Sequence, residues 1–232
     1  MLNLYDIHQY YGSSHTLRGI SMAVKQGECM ALLGRNGVGK TTLLKCLMGV
    51  LPLRQGSIEF CGHDISRLRP HQRAAMGMAY VPQGREIFAR LTVEENLRMG
   101  MATLPADRAK RIPDDIFDLF PILKTMLARR GGDLSGGQQQ QLAIARALVC
   151  RPRLIIFDEP TEGIQPSIIK DIGRVIRLLR RQGDIGILLY EQYFDFAREL
   201  ADQFVVLARG EIVAHGTSNE MNSPAVRNLL AV

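Results

Sequence analysis

The segment that most narrows the possible folds is Gly34–Thr41, GRNGVGKT, set between an apolar run and a helix-forming run. It satisfies the pattern of a glycine, four residues, then Gly-Lys-Ser/Thr. Cys29–Leu33 (CMALL) reads as a buried strand, and Thr42–Gly49 (TLLKCLMG) as the helix that leaves the glycines. Strand, glycine loop and helix in that order aim backbone N–H groups at an anion, with the positive end of the helix dipole behind them. Gly34, Gly37 and Gly39 supply the backbone angles that such a wrap demands. Lys40 is expected to reach the β- and γ-phosphates of a nucleotide, and Thr41 to place its hydroxyl on Mg²⁺. Arg35, Asn36, Val38 and Thr42 complete the expected nucleotide-contacting set.

Two further segments make sense beside that loop. Leu154–Phe157 is an apolar run of buried-strand type, followed by Asp158, Glu159 and the ladder-breaking Pro160. Carboxylates at the C-terminal end of such a strand lie where α/β sheets present ligands. Asp158 is expected to hold Mg²⁺, directly or through water, and Glu159 to handle the attacking water. Alone, the pair also fits an acidic turn after a core strand. The other segment is Leu134-Ser135-Gly136-Gly137-Gln138, whose last residue opens a helical stretch, Gln138–Val149, with Leu142, Ile144, Ala145 and Leu148 suited to a packed face. Ser135 there sits near an N-cap, with two glycines allowing an anion close to the backbone, although a plain helix cap would also account for it.

With all three segments present, the chain resembles the nucleotide-binding subunits of ABC transporters over nearly its whole length. That resemblance implies an α/β fold: a P-loop NTPase (RecA-like) core, an N-terminal antiparallel β subdomain and an inserted α-helical subdomain. It implies one nucleotide-binding domain over residues 1–232, with 92–150 as the helical subdomain that includes the Leu134–Gln138 signature. It also implies a head-to-tail pair of cassettes binding ATP and Mg²⁺, in which Lys40 and Ser135 of one chain serve different ATP molecules. Tyr11 resembles the aromatic that stacks on adenine, with Tyr10 the competing candidate on the opposite strand face. Gln83 resembles the glutamine that touches Mg²⁺ and the attacking water and joins the helical region to the core.

Two positions depart from the commonest family pattern. Gln192 stands where many members carry a switch histidine; it can donate to a γ-phosphate oxygen but does not ionise near neutrality. More of the water-activating role then falls on Glu159. Gln165 stands where an aspartate often crosses the dimer interface. These departures resemble the branched-chain amino acid and urea/short-amide importer subgroup. Glu162–Ile172, Tyr80–Phe88, Asp114–Phe120 and Tyr193–Leu200 are most similar to a urea-importer ATPase subunit. The implied partners are separate transmembrane permease subunits, a second ATP-binding subunit (a copy of this chain or, favoured by the subgroup, a related cassette) and an extracytoplasmic solute-binding protein.

Composition supports that placement. No run of about eighteen apolar residues is present to span a bilayer, and MLNLYDIHQYYG lacks the basic-then-apolar pattern of a secretory signal. Cys29, Cys46, Cys61 and Cys150 are scattered without metal-ligand spacing and read as reduced, mostly packing residues. A peripheral place on the cytoplasmic face of the membrane is expected. The net charge of +6 comes from dispersed basic residues with no interleaved aromatics, which argues against nucleic-acid binding. The main expectation is an ATPase energising uptake of urea or short amides. The alternatives are branched-chain amino acid uptake and, from another class, a soluble ABC ATPase of DNA repair or translation.

Overall fold

The structure, a computed structural model, describes residues 1–105 and 111–230. Residues 106–110 of the expected helical subdomain, and the last two of the expected single domain, lie outside them.

The chain opens with two long antiparallel strands, β1 (Leu2–Tyr11) and β2 (Ser14–Val24). A central strand, β3 (Cys29–Leu33), leads through the glycine loop to α1 (Lys40–Leu47). Next come β4 (Gln55–Phe60), β5 (His63–Asp64), α2 (Pro70–Ala75) and β6 (Met78–Val81). Helices α3 (Val93–Gly100), α4 (Asp114–Leu119), α5 (Pro121–Lys124) and α6 (Gly136–Leu148) follow before the chain returns to the sheet. The remainder alternates: β7 (Leu154–Asp158), α7 (Pro166–Gln182), β8 (Gly186–Tyr190), α8 (Phe194–Leu200), β9 (Gln203–Ala208), β10 (Glu211–Thr217) and α9 (Pro224–Leu230).

Two sheets result. The N-terminal one has the order β2-β1-β4-β5 and is antiparallel. The core sheet has the order β10-β9-β3-β8-β7-β6, parallel except for β10. Strands β3, β7 and β8 are buried throughout, as a parallel sheet covered on both faces must be. Ile155, Phe157, Ile187 and Leu189 pack toward the helices α3, α6 and α7. The alternate residues Ile156, Leu188 and Tyr190 pack with α1 and the antiparallel sheet. The fold is thus a mixed α/β P-loop core with an antiparallel β subdomain and an inserted group of helices.

The helix after the glycine loop starts at Lys40, two residues earlier than its apolar run suggests. Its far end is closed by Arg73, which is 1% exposed. The guanidinium donates from Nη1 to the Cys46 and Leu47 carbonyls, both at 2.7 Å, and from Nε to the Leu68 carbonyl at 3.0 Å. The Cys46 and Leu47 carbonyls are among the acceptors that a helix C-terminus leaves without partners. All four cysteines are free thiols, with Cys29 and Cys46 buried.

Candidate nucleotide site

The C-terminal ends of β3, β7 and β8 meet in one cavity of about 340 Å³. Its walls include Thr16, Asn36, Gly37, Gly39, Lys40, Thr41, Gln83, Glu159 and Tyr190. The loop reaches this shape because two positions exclude side chains. Gly34 takes φ 148°, and a Cβ there would collide with the Leu207 carbonyl. Gly39 takes φ 107°, and its Cβ would meet Leu17 and the Thr16 carbonyl at 3.0 Å.

Gly39 is also the N-cap of α1, and no side chain caps this end. The first-turn N–H groups therefore face the cavity without an intrahelical partner. Lys40 is 3% exposed, its ammonium bonded to the Gly34 carbonyl and lying 4.2 Å above the centre of the Tyr190 ring. Burial lowers its pKa to about 8, against the opposing pull of Glu159 and Asp158.

The carboxylates differ in their surroundings. Asp158 is the last residue of β7 and 3% exposed. Its Oδ2 accepts the Tyr80 hydroxyl at 2.6 Å, while Oδ1 is buried with no partner. Burial pushes the Asp158 carboxyl above its ordinary range, although the Tyr80 hydrogen bond opposes the shift. An orphaned, buried carboxylate oxygen at the end of β7 and an exposed Thr41 on the cavity wall suit Mg²⁺, which takes hard oxygen ligands and keeps waters and phosphates among them. Among the described residues no three His, Cys, Asp or Glu side chains gather as a metal cage. The residues fit a Mg²⁺ that arrives with a nucleotide.

Glu159 follows with φ 48°, the left-handed region that costs a non-glycine residue of order 1 kcal/mol or more. The turn is held by its N–H, which donates to the Tyr190 carbonyl at 2.9 Å. Gln192 Nε2 donates to Glu159 Oε1 and, at 2.9 Å, to Asn36 Oδ1. Gln83 Nε2 lies 2.9 Å from Glu162 Oε2 and 3.4 Å from Glu159 Oε2. The structure thus brings together Lys40, Thr41, Asn36, Gln83, Asp158, Glu159 and Gln192. Arg35, Val38 and Thr42 flank them on the same loop and helix.

The signature residues lie elsewhere. Ser135 caps α6: its Oγ accepts the Gln138 N–H at 3.3 Å, and its N–H donates to Gln138 Oε1 at 2.9 Å. That reciprocal box lets α6 begin at Gly136 and take both glycines into its first turn, ahead of the Gln138 start that the sequence suggests. Ser135, Gly136, Gly137 and Gln138 line a separate cavity of about 300 Å³ with Gly163 and Gln165, while Leu134 is buried behind them. Among the described residues none lines both cavities. At the end of β1, Tyr10 stacks on His15 with centroids 4.2 Å apart, whereas Tyr11 is 50% exposed.

Sequence reasoning missed Tyr80, Tyr190 and Glu191. Glu191 is 2% exposed and accepts four hydrogen bonds. Oε1 takes the Thr161 N–H and hydroxyl, at 3.1 and 2.6 Å. Oε2 takes the Gln192 and Tyr193 N–H groups, at 2.9 and 3.0 Å. Burial pushes its carboxyl above the usual range against all of these bonds. It ties the loop after Glu159 to the Gln192 turn. The available signal was positional: both tyrosines sit near the C-terminal ends of apolar strands, where side chains face the ligand.

Together, fold and site define a P-loop nucleotide-binding cassette, and comparisons with known proteins agree. Residues 17–162, more than half of the chain, match the ABC transporter family. The chain is 42% identical over 229 residues to the high-affinity branched-chain amino acid transport ATP-binding protein BraG of Pseudomonas aeruginosa, across 98% of each. It is 37% identical over 221 residues to the probable branched-chain amino acid transport ATP-binding protein LivF of Archaeoglobus fulgidus, across 95% of this chain and 94% of that one. A nucleotide-free ATP-binding cassette from an ABC transporter superposes with a TM-score of 0.87 at 26% identity, over 100% of this chain and 99% of that one. The chain belongs to the ABC transporter family and is an ABC-type ATPase.

Proposed function

We propose that this chain is the ATP-hydrolysing subunit of an importer, a single nucleotide-binding domain over 1–232 in which 92–150 acts as the helical subdomain. The observation that carries the reading is the division of the site. An uncapped helix end, Lys40 and the Glu159 carboxylate share one cavity, with the unpartnered Oδ1 of Asp158 buried at the adjoining strand end, while the Ser135 helix end lies in another. A second cassette placed head to tail would unite the two halves around each ATP.

In this reading Tyr11 stacks on adenine. The amides of Gly34–Thr42 take the phosphates, and Lys40 exchanges the Gly34 carbonyl for phosphate oxygens. Mg²⁺, held by Thr41, Asp158 Oδ1 and Gln83, would neutralise charge across the β- and γ-phosphates. Glu159 takes the proton of a water whose oxygen bonds to the γ-phosphorus. The bond from that phosphorus to the bridging oxygen breaks, and ADP and phosphate leave. Gln192 donates to the γ-phosphate, and Leu134–Gln138 of the partner cassette closes over it.

Among the described residues no helix is long and apolar enough to cross a membrane. Attachment therefore falls to separate permease subunits, with this chain peripheral on the cytoplasmic face and a solute-binding protein outside. For cargo, relatives matching nearly the whole length favour branched-chain amino acids. The urea and short-amide reading rests on segment likeness alone and stands second. The test is uptake of labelled leucine and urea by cells lacking only this chain, complemented by wild type or Lys40→Ala. Leucine uptake restored by wild type alone is expected. Unchanged leucine uptake with urea uptake lost would reverse the cargo order, and restoration by Lys40→Ala would remove ATP hydrolysis from the account.

A further inference from the structure

The β1–β2 hairpin carries a row of rings that the ATP chemistry leaves unused. The Tyr10 ring lies flat against His15, with centroids 4.2 Å apart and planes 9° from parallel. His8 also stacks on His15, at 5.2 Å and 24°. The row is tied at its outer end, where His8 Nε2 lies 3.1 Å from Asp6 Oδ1. A carboxylate only accepts, so that nitrogen carries a proton, and in the neutral ring Nδ1 is then an acceptor. It takes the His15 Nε2–H at 3.0 Å. Asp6, His8, His15 and Tyr10 thus form one chain of contacts that crosses from β1 to β2 and back.

The hairpin end has little else to fix it. β1 departs from regular pairing between Leu4 and Ile7, between Ile7 and Gln9, and again between Gln9 and Tyr10. Asp6 itself sits in the left-handed region at φ 50°. Beyond the last irregularity only Tyr10 with His15 and Tyr11 with Ser14 remain paired. Successive side chains of a strand alternate in direction, so Tyr11 emerges on the face opposite the ring stack. On β2 the residue after His15 is Thr16, which lines the nucleotide cavity. A Cβ on Gly39 would meet the Thr16 carbonyl at 3.0 Å, so the hairpin end and the phosphate loop lie in close approach.

We propose that His15 is a positioning residue for the nucleotide base: stacked on Tyr10 and tied through His8 to Asp6, it holds the hairpin end so that Tyr11 meets adenine. The proposal rests on reading Tyr11 as the aromatic that stacks on adenine. An exposed ring that is ordered only on binding loses freedom at that moment, and a ring held beforehand does not. Cross-strand ring pairs restrain a short ladder in this way. Because the stack faces away from the base, it acts through Tyr11 and leaves the phosphate contacts alone.

His15→Ala removes the middle ring of the stack. In the full chain, calorimetric affinity for Mg²⁺–ATP is expected to fall about fivefold, while that for Mg²⁺–tripolyphosphate, which has no base, stays within about twofold. In the assembled transporter KM for ATP should rise by the same factor with kcat unchanged. His15→Phe keeps a ring against Tyr10 and should bind ATP within about twofold of wild type. Added to Tyr11→Ala, His15→Ala should weaken ATP binding by less than about a further twofold, because the ring it positions is gone. Unchanged ATP affinity in His15→Ala would overturn the proposal. So would an equal loss for ATP and tripolyphosphate, a loss in His15→Phe as large as in His15→Ala, or one that persists undiminished beside Tyr11→Ala. If Tyr11→Ala itself binds ATP normally, the reading of Tyr11 fails and the proposal falls with it. A weakened Tyr11→Ala beside an unaffected His15→Ala sinks the proposal alone.

Discussion

Helices α1 and α6 both begin in glycine-rich turns, yet their N-termini are finished in opposite ways. α6 closes its own end, with Ser135 and Gln138 satisfying each other's backbone N–H groups. α1 has Gly39 at its cap and no side chain to serve its first turn, while its C-terminus is sealed by the buried Arg73. A helix closed at the far end and open at the near one is ready for an anionic ligand, and Lys40 lines the cavity at that open end, with the free Oδ1 of Asp158 buried next to Glu159. The self-capped end of α6 is a finished surface that a ligand can approach but that does not require one. Under the proposed function, the difference separates the half of the site that binds nucleotide in a single chain from the half that acts only after two chains meet.

The largest effect that could break this contrast is at Lys40. Lys40→Ala is expected to cut phosphate release on the order of 100-fold or more, since a charged donor to the transferring group is lost. Near-normal turnover would detach the open helix end from the chemistry. Next comes the pH dependence of ATP affinity. In nucleotide-free protein the Lys40 ammonium loses its proton near pH 8, so binding above that pH must take a proton up. Affinity should be flat below about pH 7.5 and then weaken by up to about tenfold per pH unit, while Lys40→Arg should remove the break. A titration with no inflection near pH 8 would contradict the burial assigned to this amine.

Smaller effects sharpen the comparison. Glu191→Gln replaces acceptors with an amide that cannot serve all four donors, so it should lower stability by about 1–3 kcal/mol by denaturant melt. The sign with pH follows from the raised carboxyl. Stability from Glu191 is fully present below the unfolded value and is lost as pH rises through the higher folded value. The deficit of Glu191→Gln relative to wild type should therefore widen as pH is lowered from neutrality toward 4. Smallest is Ser135→Ala, expected to cost about 1 kcal/mol of stability through the lost cap. ATP binding by dilute chain should be unaffected, and weakened binding there would mean that α6 serves its own chain's nucleotide.

Much of this was legible beforehand because backbone geometry demands particular residues. Gly34 and Gly39 admit no side chain where they approach Leu207 and Thr16, so the loop was readable from its glycines. Buried parallel strands write themselves as apolar runs, and β3, β7 and β8 did. The side chains that surround the cavity were harder to see. Tyr80, Tyr190 and Glu191 reach their partners across strands distant in sequence, and nothing local to YVPQ or LLYEQ says which group each will meet. Glu191 stands beside Gln192 in the sequence, and only the packing shows its carboxylate facing Thr161. Cargo was legible least, since no atom of an ATP site touches the solute.

The most direct test of the open-end and closed-end account is amide hydrogen exchange on Glu159→Gln protein with Mg²⁺–ATP over a range of protein concentrations. Protection of residues 34–42 should be the same at every concentration, while protection of residues 134–139 should appear only as chains pair or as the transporter is assembled. Protection of both segments together in the most dilute sample would contradict it, because the nucleotide would then be held by one chain alone.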